Sequence, residues 1–310
     1  MGGVEGLATA RVAFGLAVLD KPEGMTSNAL VSRVRAVAGN KKAGHTGTLD
    51  PFATGVMIVG VGKATRLFPY LVGQHKRYHA VLKLGQRTDT ADRTGEVCET
   101  GPVPTPGEVD IDRVAQELTG RRFQTPPRYS AKKVAGARSY ALARAGHEVA
   151  LAPVEIEVTK LSAGWLASED GSLLEFEVEC SRGTYVRTLG EEIAAGLGTV
   201  GHLTQLRRTY SDGYDVSEAL ALEDFTLAGF LPLGRALAPF AIGFIGSAVH
   251  AAALHGHPVN LSDVSDLEGA GEHVALFGCA PAGRDSLDVE ALVGLYSRQG
   301  DALVANAVLG

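Results

Sequence analysis

Sulfur is scarce in this chain. Its 310 residues include three cysteines, Cys98, Cys180 and Cys279, widely separated and without a C-x-x-C pair. That pattern excludes a disulfide framework and a thiolate zinc site, and it suits a reducing cytosol. Long apolar runs are missing too. Residues 1–14 hold no stretch suited to a signal peptide. Residues 236–262 contain no Lys, Arg, Asp or Glu, but Pro239, Gly243, Gly246, His250, His255, Gly256, His257 and Pro258 interrupt them. A spanning helix needs about 20 predominantly apolar residues, so one or two apolar strands and a short helix are expected there, with no membrane association. An intact P-loop is also absent. Gly60-Val61-Gly62-Lys63-Ala64-Thr65 lacks the required glycine at Met57 and the required hydroxyl at Ala64. With no metal-ligand spacing either, neither a cofactor nor a metal is expected.

What is present is ordinary for a globular chain with a sizeable core: 45% apolar and 21% charged residues. The length favours two domains. The formal net charge of −6 hides an asymmetry, because residues 1–213 carry 26 Lys+Arg against 23 Asp+Glu, while residues 214–310 carry 3 against 12. A polyanionic partner therefore belongs on the first two-thirds. Between Arg121 and Arg144 there are seven basic residues and no acidic one, with Phe123, Tyr129 and Tyr140 interleaved. Cations for phosphates and rings for unpaired bases suit a structured RNA loop; a solvated helix face is the alternative.

The pattern predicts a short buried strand at 16–20 and a turn at Lys21-Pro22-Glu23-Gly24. A helix over 28–38 follows, capped by Thr26 or Ser27, with Leu30, Val31, Val34 and Val37 at helical spacing. Residues 44–55 read as loop, 56–61 as a strand, and 78–84, 155–161 and 173–180 as half-buried strands. Residues 184–197 look helical. Strands and helices mix without a βαβ repeat, which predicts an α+β fold with a largely antiparallel or mixed sheet and flanking helices. The composition break near 235 is the expected domain boundary.

The most informative string is Gly44-His45-Thr46-Gly47-Thr48-Leu49-Asp50-Pro51-Phe52-Ala53-Thr54-Gly55, whose three glycines and one proline fix a tight loop before a buried strand. Such a loop holds a carboxylate, Asp50, on rigid scaffolding where ligands are met. An isolated Asp-Pro would be only a turn. This string, however, resembles the motif of the TruB family of tRNA pseudouridine-55 synthases. Further blocks occur in the family's order: Leu19 to Ser27, Lys76-Arg77-Tyr78, Gly85 to Thr90, Thr125 to Ala131, Cys180 to Arg187, and Leu206-Arg207-Arg208-Thr209.

The resemblance implies an isomerase that flips one uridine of the tRNA T-arm, breaks its N-glycosidic bond and rejoins the base through C5. It implies Asp50 as the catalytic carboxylate; attack on the sugar, attack on the base and action as a base all stay open. His45, Tyr78, Tyr185 and Leu206 match substrate-contacting positions, Tyr78 as a stacking platform. Arg187 matches the arginine paired with the aspartate, and Lys21 a supporting residue. Flipping costs unstacking energy, of which an aromatic platform returns about 1–3 kcal/mol, and a neighbouring arginine favours the ionised carboxylate. The basic segment matches an RNA-gripping insertion, about 121–152, with Arg121, Arg122, Arg128, Lys132, Lys133 and Arg138 as its patch. The expected layout is an N-terminal extension 1–15, a catalytic domain 16–235 and a PUA-like C-terminal β-barrel domain 240–310. Residues 292–296 and 303–309 form the barrel's closing hairpin. The acidic tail, with Val304-Ala305-Asn306-Ala307 where the family often has Pro and Arg, is expected to add little to RNA affinity, and the active site to assemble without it provided its removal exposes no apolar surface. The enzyme is expected to be a cytoplasmic monomer with no obligate protein partner.

Overall fold

The computed structural model describes residues 11–71, 75–127, 133–134, 137–138, 151–269, 271–278 and 287–310. Two sheets dominate. The larger has ten strands and is built on β1 (Phe14–Lys21), β2 (Ala43–His45), β3 (Thr54–Gly62), β4 (Lys76–Leu84), β5 (Gly120–Gln124), β6 (Val154–Trp165), β7 (Leu173–Cys180) and β8 (Gly201–Ser211). Its order is Leu220–Ala221, β1, β3, β8, β4, β7, β6, β5, with β2 beside β3 and Tyr214–Asp215 beside β8. The β3–β8 and β1–Leu220 junctions are parallel and the other pairings antiparallel. This is the mixed, largely antiparallel α+β sheet that the patterning predicts.

Helices α1 (Ser27–Val37), α2 (Ile111–Leu118) and α3 (Val186–Gly196) flank it. Side chains alternate along a strand, so β1 presents Ala17 and Leu19 to one core and Leu16 and Val18 to another. The first core packs them with Leu30 and Val34 of α1 and Leu189 and Ile193 of α3. Burial on both faces explains the near-continuous apolar runs of β1 and β3.

The elements differ from the sequence reading in places. Residues 44–55 are not all loop: Ala43, Gly44 and His45 pair with Val61, Gly60 and Val59. The facing glycines admit the Phe68 ring, which a Cβ at Gly60 would meet at 2.7 Å. β1 starts at Phe14, two residues before the strand expected at 16–20, and the Val12 amide donates to Ala38 O. The central strand β8 was not predicted, because Gln205, Arg207 and Arg208 break its apolar alternation.

The second sheet contains β9 (Ala241–Ile245), β10 (Val259–Asn260), β11 (Val264–Glu268), β12 (His273–Phe277), β13 (Leu292–Gln299) and β14 (Ala302–Val308), in the order β10, β14, β13, β12, β9, β11. With helix α4 (Ser247–Leu254) it forms the expected PUA-like unit, closed by the β13–β14 hairpin. It is not a loosely tethered appendage. Leu16, Val18, Val56 and Ile58 of the first sheet share a core with Phe240, Ile242, Phe277, Leu292 and Leu295. Each such side chain buried contributes about 1.5–3 kcal/mol, so removing the tail would strip one face of β1 and β3. The active site is expected to assemble without the tail only where removal exposes no apolar surface, and the shared core does not meet that condition.

Candidate active site

Asp50 follows β2 in the turn that leads to β3, and the chain upstream forms a cradle for that turn. Lys21, fully buried, donates through Nζ to Pro22 O at 2.8 Å and to Pro51 O at 3.2 Å. The Gly24 amide donates to the same Pro51 carbonyl at 2.8 Å. Both candidate caps of α1 are used, for different ends. Thr26 accepts from the Ala29 amide and caps the helix, whereas Ser27 Oγ donates to Leu49 O and accepts from Leu49 N, each at 2.9 Å. The residue preceding Asp50 is thereby pinned on both backbone groups.

The exit of the turn is held from β8. Arg207 donates to both Asp20 carboxylate oxygens, at 3.1 and 2.6 Å, and to Thr54 Oγ1 at 3.2 Å. Arg208, 1% exposed, donates Nε to Val56 O at 2.7 Å and Nη2 to Gly47 O at 3.2 Å, so one guanidinium spans the turn. Gly55 has φ +104°, and a Cβ there would lie 2.2 Å from Arg208 O, which makes glycine obligatory.

Arg187, in the first turn of α3, meets Asp50 side on: Nε–Oδ2 is 2.8 Å and Nη2–Oδ1 3.4 Å. The same guanidinium donates Nη1 to Thr90 O at 2.7 Å and lies 3.6 Å from Asp92 Oδ2. Asp92 is buried and accepts from Thr90 Oγ1 and the Thr94 amide, each at 2.9 Å. Burial raises the Asp50 pKa above its ordinary 3.8; Arg187 opposes the shift and Asp92 adds to it. The arginine therefore restrains but does not reverse the rise. Burial also lowers the Lys21 pKa, to about 8, against the pull of Asp50.

The other expected site residues fall around this centre unequally. Tyr78 on β4 is 8% exposed and pairs with Arg208 across the ladder; burial raises its hydroxyl pKa, with the Arg208 charge opposing the rise. Leu206 on β8, 6% exposed, shares the apolar cluster of Tyr78, Leu49 and Phe52. Tyr185 is the N-cap residue of α3, two positions before Arg187. His45 lies on β2, half-buried, and burial followed by the Arg208 charge lowers its pKa. In the basic patch, Arg121 and Arg122 lie on the edge strand β5, Arg121 paired with Glu157 and Arg122 with Glu192. Arg128 and Lys132 lie outside the described residues, as do the side chains of Lys133 and Arg138, whose backbones form a short antiparallel ribbon. Asp92, Ser27 and Arg208 were not assigned these contacts from the sequence. Ser27 carried a signal as the spare hydroxyl of two candidate caps, and Arg208 as part of a family-like block; Asp92 carried none. Among the described residues no cluster of His, Cys, Asp or Glu could hold a metal ion, and no helix is long and apolar enough to cross a membrane.

A family model described as TruB family pseudouridylate synthase (N terminal domain) matches residues 35–186, which include Asp50, Asp92 and Tyr185. A protein named tRNA pseudouridine synthase B from Thermobifida fusca is 41% identical, over 88% of this chain and 93% of its own length. The chain belongs to the TruB family of pseudouridylate synthases. A protein of the same name from Geobacter sulfurreducens is 46% identical over 67% of this chain and 68% of its own. Among solved structures, a chain of a Cbf5-Nop10-Gar1 complex superposes with a TM-score of 0.69 at 25% identity, covering 96% of this chain and 85% of that one. The TruB assignment makes the protein an isomerase acting on tRNA, and the matched residues include Asp50 and its surrounding turn.

Proposed function

We propose that this TruB enzyme isomerises uridine to pseudouridine at position 55 in the T-loop of transfer RNAs. The observation that carries the reading is the side-on pair between Asp50 and Arg187, built on a turn held at Leu49, Pro51, Gly47 and Val56. A carboxylate raised by burial yet paired with a fixed guanidinium stays oriented toward one reacting centre. Asp50 engages the flipped uridine while the N-glycosidic bond breaks and the bond to C5 forms. Arg187 and Lys21 support its charge. Tyr78 and Leu206 form the aromatic and apolar wall for the base, and Tyr185 and His45 contact the substrate.

The insertion around 121–152, with Arg121, Arg122, Arg128, Lys132, Lys133 and Arg138, grips the T-arm phosphates, and no part of the chemistry needs a cofactor or metal. Residues 16–235 form the catalytic domain and 240–310 the PUA-like domain. The enzyme acts as a cytoplasmic monomer. A relative named tRNA pseudouridine synthase B aligned along 93% of its length favours a standalone enzyme over one that works only inside a complex. The test is to incubate the pure protein with one unmodified tRNA and map the products. Pseudouridine at position 55 alone is expected; no pseudouridine, or its appearance only elsewhere, would overturn the reading.

A further inference from the structure

Gln124 is the last residue of β5 and Val154 the first of β6, and the two are register partners. The basic insertion of residues 125–153 therefore leaves and re-enters the sheet at this pair, with Gln124 at its neck. Gln124 is 1% exposed. Burying a primary amide requires partners for its oxygen and its NH2, and these partners belong to the active-site helix. Gln124 Oε1 accepts from the Tyr185 amide at 2.8 Å, and Nε2 donates to the Tyr185 carbonyl at 3.2 Å. The two peptide planes flanking Tyr185 are thus held by one side chain, at φ −98° and ψ 107°.

The clamp sits where the helix needs one. Tyr185 is the N-cap residue of α3 and makes no side-chain capping bond, while its carbonyl also accepts the first helical bond, from the Leu189 amide at 3.0 Å. An N-cap residue sets the entry angle of the chain into its helix, and Arg187 follows two residues later. Gln124 is itself oriented by Glu192, about two turns along α3 from Tyr185: Nε2 to Glu192 Oε2 is 3.4 Å, and Arg122 Nη2 donates to Glu192 Oε1 at 2.7 Å. Neck and helix are stitched at both Tyr185 and Glu192.

We infer that Gln124 is a positioning residue, which fixes the start of α3, and with it Tyr185 and Arg187, to the neck of the RNA-gripping insertion. Its side-chain bonds go to Tyr185 and Glu192, not to Asp50. The inference rests on the proposed pseudouridine synthase reading for its rate consequences, but its structural core can be read independently. Gln124→Ala removes both bonds to Tyr185. Gln124→Glu keeps the shape and the acceptor but, while ionised, turns a carboxylate toward the Tyr185 carbonyl and Glu192; protonation restores a donor.

The experiment combines single-turnover pseudouridine formation, tRNA affinity and amide hydrogen exchange on full-length protein. Gln124→Ala is expected to lower the single-turnover rate by at least about tenfold, ~1.4 kcal/mol, with tRNA Kd changed less than about threefold, ~0.65 kcal/mol. Amide exchange should accelerate in 184–188 and not in 46–52. Gln124→Glu should recover activity relative to wild type as pH falls, which a mere packing defect would not do. Unchanged exchange in 184–188, or equal loss of rate and affinity with no pH-dependent recovery in Gln124→Glu, would overturn the inference. If the wild type forms no pseudouridine, the functional reading fails, and the exchange data alone decide whether Gln124 holds Tyr185.

Discussion

Arg187 is almost wholly buried, with 5% of its side chain exposed, yet it presents Nε and Nη2 to an Asp50 carboxylate that keeps 34% of its surface open. The buried partner is fixed by Thr90 O and Asp92 behind it, so the open one inherits its orientation. Arg187→Lys cannot reproduce this fork. The expected result is a fall in kcat of at least about a hundredfold, ~2.7 kcal/mol. The acid limb of the pH–rate profile should also move to higher pH, because burial already raises the Asp50 pKa and Arg187 is the main group opposing it. Single-turnover rates between pH 5 and 8 check this; an unmoved acid limb would mean that Arg187 does not set the charge of Asp50.

Lys21 gives the opposite limb. Its folded pKa of about 8 lies below the ordinary 10.5. The cost of its buried charge is therefore full below about 8, and stability recovers as pH rises from there toward 10.5. The carboxylate of Asp50 loses a nearby cation in the same window. Wild-type kcat is expected to decline above pH 8, and Lys21→Met should be slower at pH 7 but lack that decline. A wild-type profile flat to pH 9.5 would show that the Lys21 charge plays no part.

Neutralising Arg128, Lys132 and Lys133 together should weaken tRNA binding and flatten its salt dependence. Each lost phosphate contact reduces the log–log slope by about 0.7–0.9. Binding titrations at several salt concentrations check this, and an unchanged slope would put the RNA elsewhere.

The shared core predicts that the two sheets unfold together. Phe277 is fully buried among residues of both. Phe277→Ala should cost about 3–5 kcal/mol and lower the melting of the whole chain in one transition, and truncation at residue 240 should yield insoluble protein. Two separate transitions, or a soluble truncation with native melting, would show that the sheets are independent.

The larger sheet was legible where one face or both are apolar, as in β1, β3 and β7. The strand β8 was not, because Arg207 and Arg208 point from its two faces to partners up to 187 positions away. Polarity there reflects satisfied long-range bonds, which no local pattern encodes. Asp50 was legible because the whole glycine-rich string around it resembles the family motif, where an isolated Asp-Pro would have read as a turn. Asp92 was not: its burial is bought by Arg187 and two threonines, and Ala91 before it has a positive φ of 60° without glycine to mark the bend. The acidity of the C-terminal residues was visible, but the apolar face that binds them to β1 and β3 looked like ordinary strand core.

The central claim is that Asp50 carries the chemistry while the surrounding turn and the basic insertion carry binding. The direct measurement is pseudouridine formation by Asp50→Asn on one unmodified tRNA, with Kd and thermal midpoint recorded on the same preparations. Because the folded pKa of Asp50 lies above 3.8, folding takes up a proton in the window above that value, and the ionised group costs stability at neutral pH. Asp50→Asn removes that cost. The expected result is no detectable product, a Kd within a few-fold of wild type and a midpoint no lower. Turnover within about tenfold of wild type, ~1.4 kcal/mol, would contradict the account.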